Sequence, residues 1–222
     1  MLSPVYRIQH FCTCIRPFFL FPFSFFLLNR PVQRLGLYGG AFNPVHLGHL
    51  LVAEAAAEEL GLDKLVFIPT SRSPFKQNDE TAPNALRLRW LRLALAGQPR
   101  FEIDEQEIQR GGVSYTIETA RRYAIAFPNA QLFYLIGADN VLKLNEWRDS
   151  DELAKLLEFA AVPRPGQGPS IFPKPFRGTA LKGFPLDISS REIRARARTG
   201  RPIQHLVPPL VADAIHDSAA YR

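Results

Sequence analysis

Beyond residue 33 the chain has no cysteine and no methionine; Cys12, Cys14 and Met1 all lie in the leading segment. The larger part of the molecule therefore has no disulfide framework, no thiolate metal centre and no cysteine nucleophile. His10-x-Cys12-x-Cys14 lacks a fourth ligand and reads as chance. Also lacking is an apolar run of the roughly 20 residues needed to span a bilayer. The aromatic stretch 17–29, PFFLFPFSFFLLN, is shorter and carries Pro17 and Pro22. No small-x-small cleavage site follows it, which argues against a secretory signal. Residues 1–33 contain no acid, and Arg7, Arg16 and Arg30 supply half of the net charge of +6. The surplus left for the rest is too modest to point to nucleic acid and suits a polyphosphate pocket equally well. A cytoplasmic protein with no membrane and no nucleic-acid partner is expected, and the sequence leaves a homo-oligomer open.

What remains is ordinary globular composition, 46% hydrophobic and 22% charged over 222 residues, and it is organised around residues 34–50, RLGLYGGAFNPVHLGHL. Arg34–Tyr38 predicts a short buried strand. Gly39-Gly40 then allows close approaches that a Cβ would forbid. After Asn43-Pro44, residues Leu47, Leu50, Leu51, Glu54, Ala55 and Glu58 form an amphipathic helical pattern that runs to Gly61. At such a strand-turn-helix junction the first helical amides have no intrahelical partner, and the helix dipole is positive there, so the junction suits phosphate. His46 and His49 are three apart and project from one side of that first turn. Gly36, Gly39 and Gly40 do not make G-x-G-x-x-G, and no His-Glu-x-x-His is present, so a dinucleotide fingerprint and a zinc pair are both poor fits. Two histidines that merely solvate a helix end remain the plain alternative.

Further strands are expected at 64–69, 101–104, 131–136 and 156–162, and helices at 84–95, from about 115 to 127, over 141–144, from 190 and over 211–219. In the 84–95 helix the apolar positions 85, 88, 91 and 95 form the buried stripe, with Arg87, Arg89 and Arg92 elsewhere around it. Gly111-Gly112 introduces the helix near Tyr115 and Thr116, whose first amides suit a carboxylate. Asp139 follows the most strand-like run, where it could serve a ribose, a magnesium site or a helix cap. Trp147 offers a flat face for a ring, although a lone tryptophan is more often core. The stretch 163–185, with six prolines and four glycines, reads as a surface loop. Ser189 and Glu192 form a Ser-x-x-Glu capping box, a second phosphate-ready helix start, with Arg194 placed to reach back toward it. Five strands alternating with helices indicate an α/β doubly wound parallel sheet in a single domain, 34–222, with its site at the strands' C-terminal edge.

GGAFNPVHLGH resembles the G-G-x-F-[DN]-P-x-H-x-G-H motif of the nucleotidyltransferase superfamily that carries H-x-G-H. Ile188-Ser189-Ser190-Arg191-Glu192-Ile193-Arg194 resembles its second motif, I-S-S-T-x-I-R, about 140 residues on. VSYTIET at 113–119, LIGADN at 135–140 with Trp147, and the closing LVPPLV…IHDSAAYR are similar to the bacterial nicotinate-nucleotide adenylyltransferase branch. The resemblance covers 34–222 and implies a Rossmann-like nucleotidyltransferase fold. It also implies transfer of the adenylyl group of ATP to nicotinate mononucleotide, with Mg²⁺ accompanying ATP and no metal site of the protein's own. Another acceptor, nicotinamide mononucleotide or phosphopantetheine, and a non-catalytic ATP-binding module are the alternatives.

Carried residue by residue, the resemblance implies catalysis by His46, His49 and Arg194. ATP would meet Gly39, Gly40, Phe42, His46, His49, Ile188, Ser189, Ser190 and Arg194, and the acceptor would meet Lys76, Tyr115, Thr116, Asp139 and Trp147. The chain departs from the family at Phe75, where a histidine is usual, and at Arg191, where a threonine is usual. Residues 1–33 are expected to stand outside the working enzyme as an extension or a mis-assigned start, with Val32 as the candidate initiation codon.

Overall fold

The computed structural model describes residues 31–74, 81–163, 170–184 and 186–221. Six strands form one sheet: β1 (Arg34–Gly40), β2 (Lys64–Pro69), β3 (Phe101–Ile103), β4 (Gln131–Gly137), β5 (Glu158–Val162) and β6 (Gly178–Ala180). Every pairing is parallel, in the order β3-β2-β1-β4-β5-β6. The chain thus winds outward from β1 to β3, returns to the middle and winds outward again. The reversal leaves a crevice between the C-terminal ends of β1 and β4.

The helices are α1 (Leu47–Glu59), α2 (Asn84–Leu95), α3 (Gln106–Arg110), α4 (Thr116–Ala126), α5 (Ala138–Val141), α6 (Ser150–Leu156), α7 (Ser190–Arg198) and α8 (Pro209–Ser218). Alternation along the strands divides the core into two layers. Leu65, Phe67, Phe133 and Leu135 face residues of α1, α2, α7 and α8. Leu35, Leu37, Val66, Tyr134 and Ile136 face α4, α5 and α6. Both faces of the sheet are covered, as strands with near-continuous apolar runs require. Val32 packs against the second layer, and Gln33 donates its amide to Asp63 Oδ2 at 2.8 Å, so Val32–Arg222 forms one compact unit.

Several elements differ from expectation. A sixth strand lies within the stretch read as a loop, because Gly178 can pass close to the Phe159 carbonyl and the Phe172 ring where a Cβ could not. Helix α6 takes Leu156, and β5 begins only at Glu158. The buried stripe of α1 is Ala53, Ala56 and Ala57, small residues that let the helix lie close to the sheet; Leu47, Leu50 and Leu51 are only half-buried. Arg87 is fully buried rather than on the solvent side of α2.

Candidate active site

Beyond Gly40 the chain turns through residues 41–45 into α1 with His46 as the N-cap. The His46 and His49 rings stack with centroids 3.6 Å apart at 27°. The His46 amide donates to His49 Nδ1 at 3.1 Å, which makes Nδ1 the acceptor and puts the proton of the neutral ring on Nε2. Burial lowers the His46 pKa to about 4. Burial holds His49 well below its ordinary value, and the nearby His46 lowers it further. Both imidazoles are therefore neutral at pH 7 until an anion arrives, and an adjacent polyphosphate would favour their charged forms. Gly48 belongs to this arrangement, since a Cβ there would lie 3.0 Å from His46 Nδ1.

Phe42 takes the left-handed φ of 44° and is 2% exposed, its ring edge-on to His49 at 5.1 Å and to Tyr38 at 5.5 Å. Its side chain packs against His49, so the ring is part of the core under the histidine pair. Gly39 and Gly40 are the last residues of β1 rather than a turn, and what they supply is space. A Cβ on Gly39 would sit 2.2 Å from the Tyr134 hydroxyl, and one on Gly40 would sit 3.0 Å from the Phe42 ring. The start of α1 is also less open than the sequence implies, because the Leu47 amide donates to the Leu206 carbonyl at 3.0 Å.

The second motif meets the first directly. Ser189 caps α7 by accepting the Glu192 amide at 3.2 Å, and Ser190 Oγ donates to the Pro44 carbonyl at 2.8 Å. Arg194 Nη1 donates to the Asn43 carbonyl at 2.8 Å, leaving the rest of its five-donor fork for other partners. Ile188 comes within 3.8 Å of the point where a Gly48 Cβ would stand. Residues 43–49 and 188–194 thus form one surface at the C-terminal edge of β1.

On the other side of the crevice Tyr115 is the N-cap of α4, with the Arg148 guanidinium 4.6 Å above its ring. Thr116 Oγ1 lies 3.4 Å from the Tyr134 hydroxyl, and Trp147 is half-buried and edge-on to Tyr134 at 6.1 Å. Asp139 is exposed at the end of β4 as the second residue of α5, whose N-cap is Gly137, so Asp139 is not the cap. Lys76, with Phe75, lies outside the described residues. Sequence reasoning missed Tyr134, which underlies Gly39 on one side and touches Thr116 and Trp147 on the other. Within a continuous apolar strand nothing distinguishes it from core. It also missed Asn43, whose side-chain Oδ1 is buried and accepts from the Ala82 amide at 3.2 Å and the Tyr221 hydroxyl at 2.7 Å. Among the described residues no three His, Cys, Asp or Glu side chains gather as a metal site, and no helix is long and apolar enough to cross a membrane.

A parallel sheet with this reversal, and two helix starts joined across its edge, define a nucleotidyltransferase; residues 37–196 match the family described as cytidylyltransferase-like. The chain is 40% identical over 189 residues to a protein of Exiguobacterium sibiricum named "Probable nicotinate-nucleotide adenylyltransferase", covering 85% of this chain and 99% of that one. A Geobacillus kaustophilus protein of the same name is 38% identical over 188 residues, covering 85% and 86%. The chain belongs to the nicotinate-nucleotide adenylyltransferase family. The fold is also that of the Plasmodium falciparum nicotinic acid mononucleotide adenylyltransferase complexed with NaAD, with a TM-score of 0.72 at 16% identity over 85% of this chain and 97% of that one.

Proposed function

We propose that this enzyme transfers the adenylyl group of ATP to nicotinate mononucleotide. A phosphate oxygen of the mononucleotide attacks the α-phosphorus, the bond from that phosphorus to the bridging oxygen breaks, and deamido-NAD and pyrophosphate leave. The observation that carries the reading is the clasp between the two phosphate motifs, Ser190 Oγ on the Pro44 carbonyl and Arg194 Nη1 on the Asn43 carbonyl, both at 2.8 Å. It holds the stacked histidines and the α7 N-terminus close together, which supports assigning both to one polyphosphate.

The reaction needs no protein nucleophile, only alignment of two anions and stabilisation of charge that gathers on the departing pyrophosphate. His49 offers Nε2–H to that charge and Arg194 its remaining donors. Mg²⁺ comes with ATP as part of the substrate, bound through phosphate oxygens and water, and neutralises part of the same charge. The acceptor's pyridine carboxylate is assigned to the α4 start at Tyr115 and Thr116, with Trp147 against the ring and Asp139 near its ribose. The names of the relatives support this acceptor, as does the NaAD held by the Plasmodium protein.

The test is pyrophosphate release with ATP, Mg²⁺ and a panel of acceptors. Turnover with nicotinate mononucleotide that exceeds turnover with nicotinamide mononucleotide and phosphopantetheine is expected. Preference for either of the latter would replace the acceptor, and ATP binding without pyrophosphate under every acceptor would make the protein a binding module.

A further inference from the structure

Three carbonyls of the turn that leads into His46 are each taken by a side chain from elsewhere in the fold. Arg87 Nη1 donates to Ala41 O at 2.6 Å, Arg194 Nη1 to Asn43 O at 2.8 Å and Ser190 Oγ to Pro44 O at 2.8 Å. Arg87, with no exposed surface, also donates to Thr70 O at 2.8 Å, Asn84 Oδ1 at 2.6 Å and Ala82 O at 3.3 Å. Carbonyl oxygens turned toward a polyphosphate would repel it. Donors that draw them outward remove that repulsion and fix the turn's orientation.

The Asn43 side chain is held as well, and one of its partners is Tyr221. Tyr221 is 6% exposed, its ring packs 5.6 Å from Trp90, and its hydroxyl donates to Asn43 Oδ1 at 2.7 Å across 178 residues of sequence. Burial raises the Tyr221 pKa, which keeps the phenol a donor throughout the working pH range. Asn43 stands three residues before His46. Its Oδ1 holds the Ala82 amide on one side and the Tyr221 hydroxyl on the other, while its carbonyl receives Arg194. The tail therefore reaches the same residue that joins the two phosphate motifs.

We infer that Tyr221 is a positioning residue for adenylyl transfer, its hydroxyl holding Asn43 and thereby the turn that carries His46 and aims Arg194. The inference rests on the proposed reaction for its kinetic consequence and on the geometry alone for its effect on triphosphate binding.

Tyr221→Phe tests it, because the ring that packs on Trp90 stays and only the hydroxyl goes. A loss of one buried hydrogen bond to a residue that keeps its Ala82 partner predicts about a tenfold fall in kcat. KM for the mononucleotide should stay within about twofold, since the residues assigned to the acceptor lie on the other side of the crevice. Calorimetric titration with ATP and Mg²⁺, without acceptor, should show a severalfold weaker Kd. Both are measured well below the variant's melting temperature. A purely structural tyrosine would lower that temperature and leave kcat and the ATP Kd at wild-type values, and that result overturns the inference. If the wild type releases no pyrophosphate with any acceptor, the proposed reaction fails, yet weaker ATP binding by Tyr221→Phe would still support the positioning role and unchanged binding would still refute it.

Discussion

His49 accepts the backbone amide of His46 at Nδ1 while the two rings stack 3.6 Å apart, so each histidine fixes the other. His46 gains a satisfied amide and His49 a defined tautomer with its proton on Nε2. His49→Ala should cost about 100- to 1,000-fold in kcat, the usual loss when one group that stabilises transition-state charge is removed. The fold should survive, because His49 is only half-buried and the Phe42 ring beneath it keeps its contacts with Tyr38 and Phe67. Near-normal pyrophosphate release from a folded His49→Ala protein would remove this histidine from the mechanism.

Stability should depend on acid through the same pair. The His46 pKa falls from 6.5 to about 4 on folding, so between those values the unfolded chain binds a proton that the folded protein does not. Stability is then complete above pH 6.5, declines as pH falls toward 4 and levels off below; for His46 the loss is up to about 3 kcal/mol. Denaturant unfolding at pH 7.5, 5.5 and 4.5 should show a shallower acid decline in His46→Gln than in the wild type. Equal declines would mean that the imidazole is not the group responsible.

The central sheet and the two phosphate motifs were legible because their signals are local. A glycine pair after an apolar strand, His-x-x-His and Ser-x-x-Glu each act within one turn of chain. Arg87 shows where that legibility ends. Its place among Arg89 and Arg92 suggests a solvated face, yet it is buried because carbonyls of Ala41 and Thr70, from other parts of the chain, converge on its guanidinium together with that of nearby Ala82. Asn43 and Tyr221 are the same case, 178 residues apart. Strand β6 escaped notice for another reason: at three residues in a proline-rich stretch it has no periodicity of its own and is specified by the β5 edge it joins.

Gly39 is required for space, and its neighbour can be changed to prove it. In Gly39→Ala the new Cβ meets the Tyr134 hydroxyl at 2.2 Å, and strain of this kind typically costs about 1–3 kcal/mol. Removing that oxygen with Tyr134→Phe leaves the ring carbon, at 3.2 Å, as the nearest atom. The double variant should recover most of the lost stability, with a coupling energy readable from a double-mutant cycle. If Gly39→Ala destabilises the Tyr134→Phe background just as much, the clash is not the cause.

Glu107 should make stability fall as pH rises, the reverse of His46. It is 4% exposed; Oε1 accepts the Thr119 hydroxyl at 2.6 Å, and Oε2 is buried with no hydrogen-bond partner within normal distance among the described residues. Burial is the main cause that raises its pKa above 4.5, and the nearby Asp104 adds to it. Over the range between the unfolded and folded pKa values the folded protein holds a proton that the unfolded chain has released. The contribution to stability is therefore complete below pH 4.5 and is lost as pH rises through the folded value. Glu107→Gln keeps the shape and the acceptor for Thr119 but has no charge to bury. At pH 5 its unfolding free energy should lie within about 1 kcal/mol of the wild type, since one neutral polar group replaces another. By pH 8.5 the difference should have moved in favour of Glu107→Gln. A difference that stays constant from pH 5 to 8.5 would show that the carboxyl does not change protonation between the folded and unfolded chain.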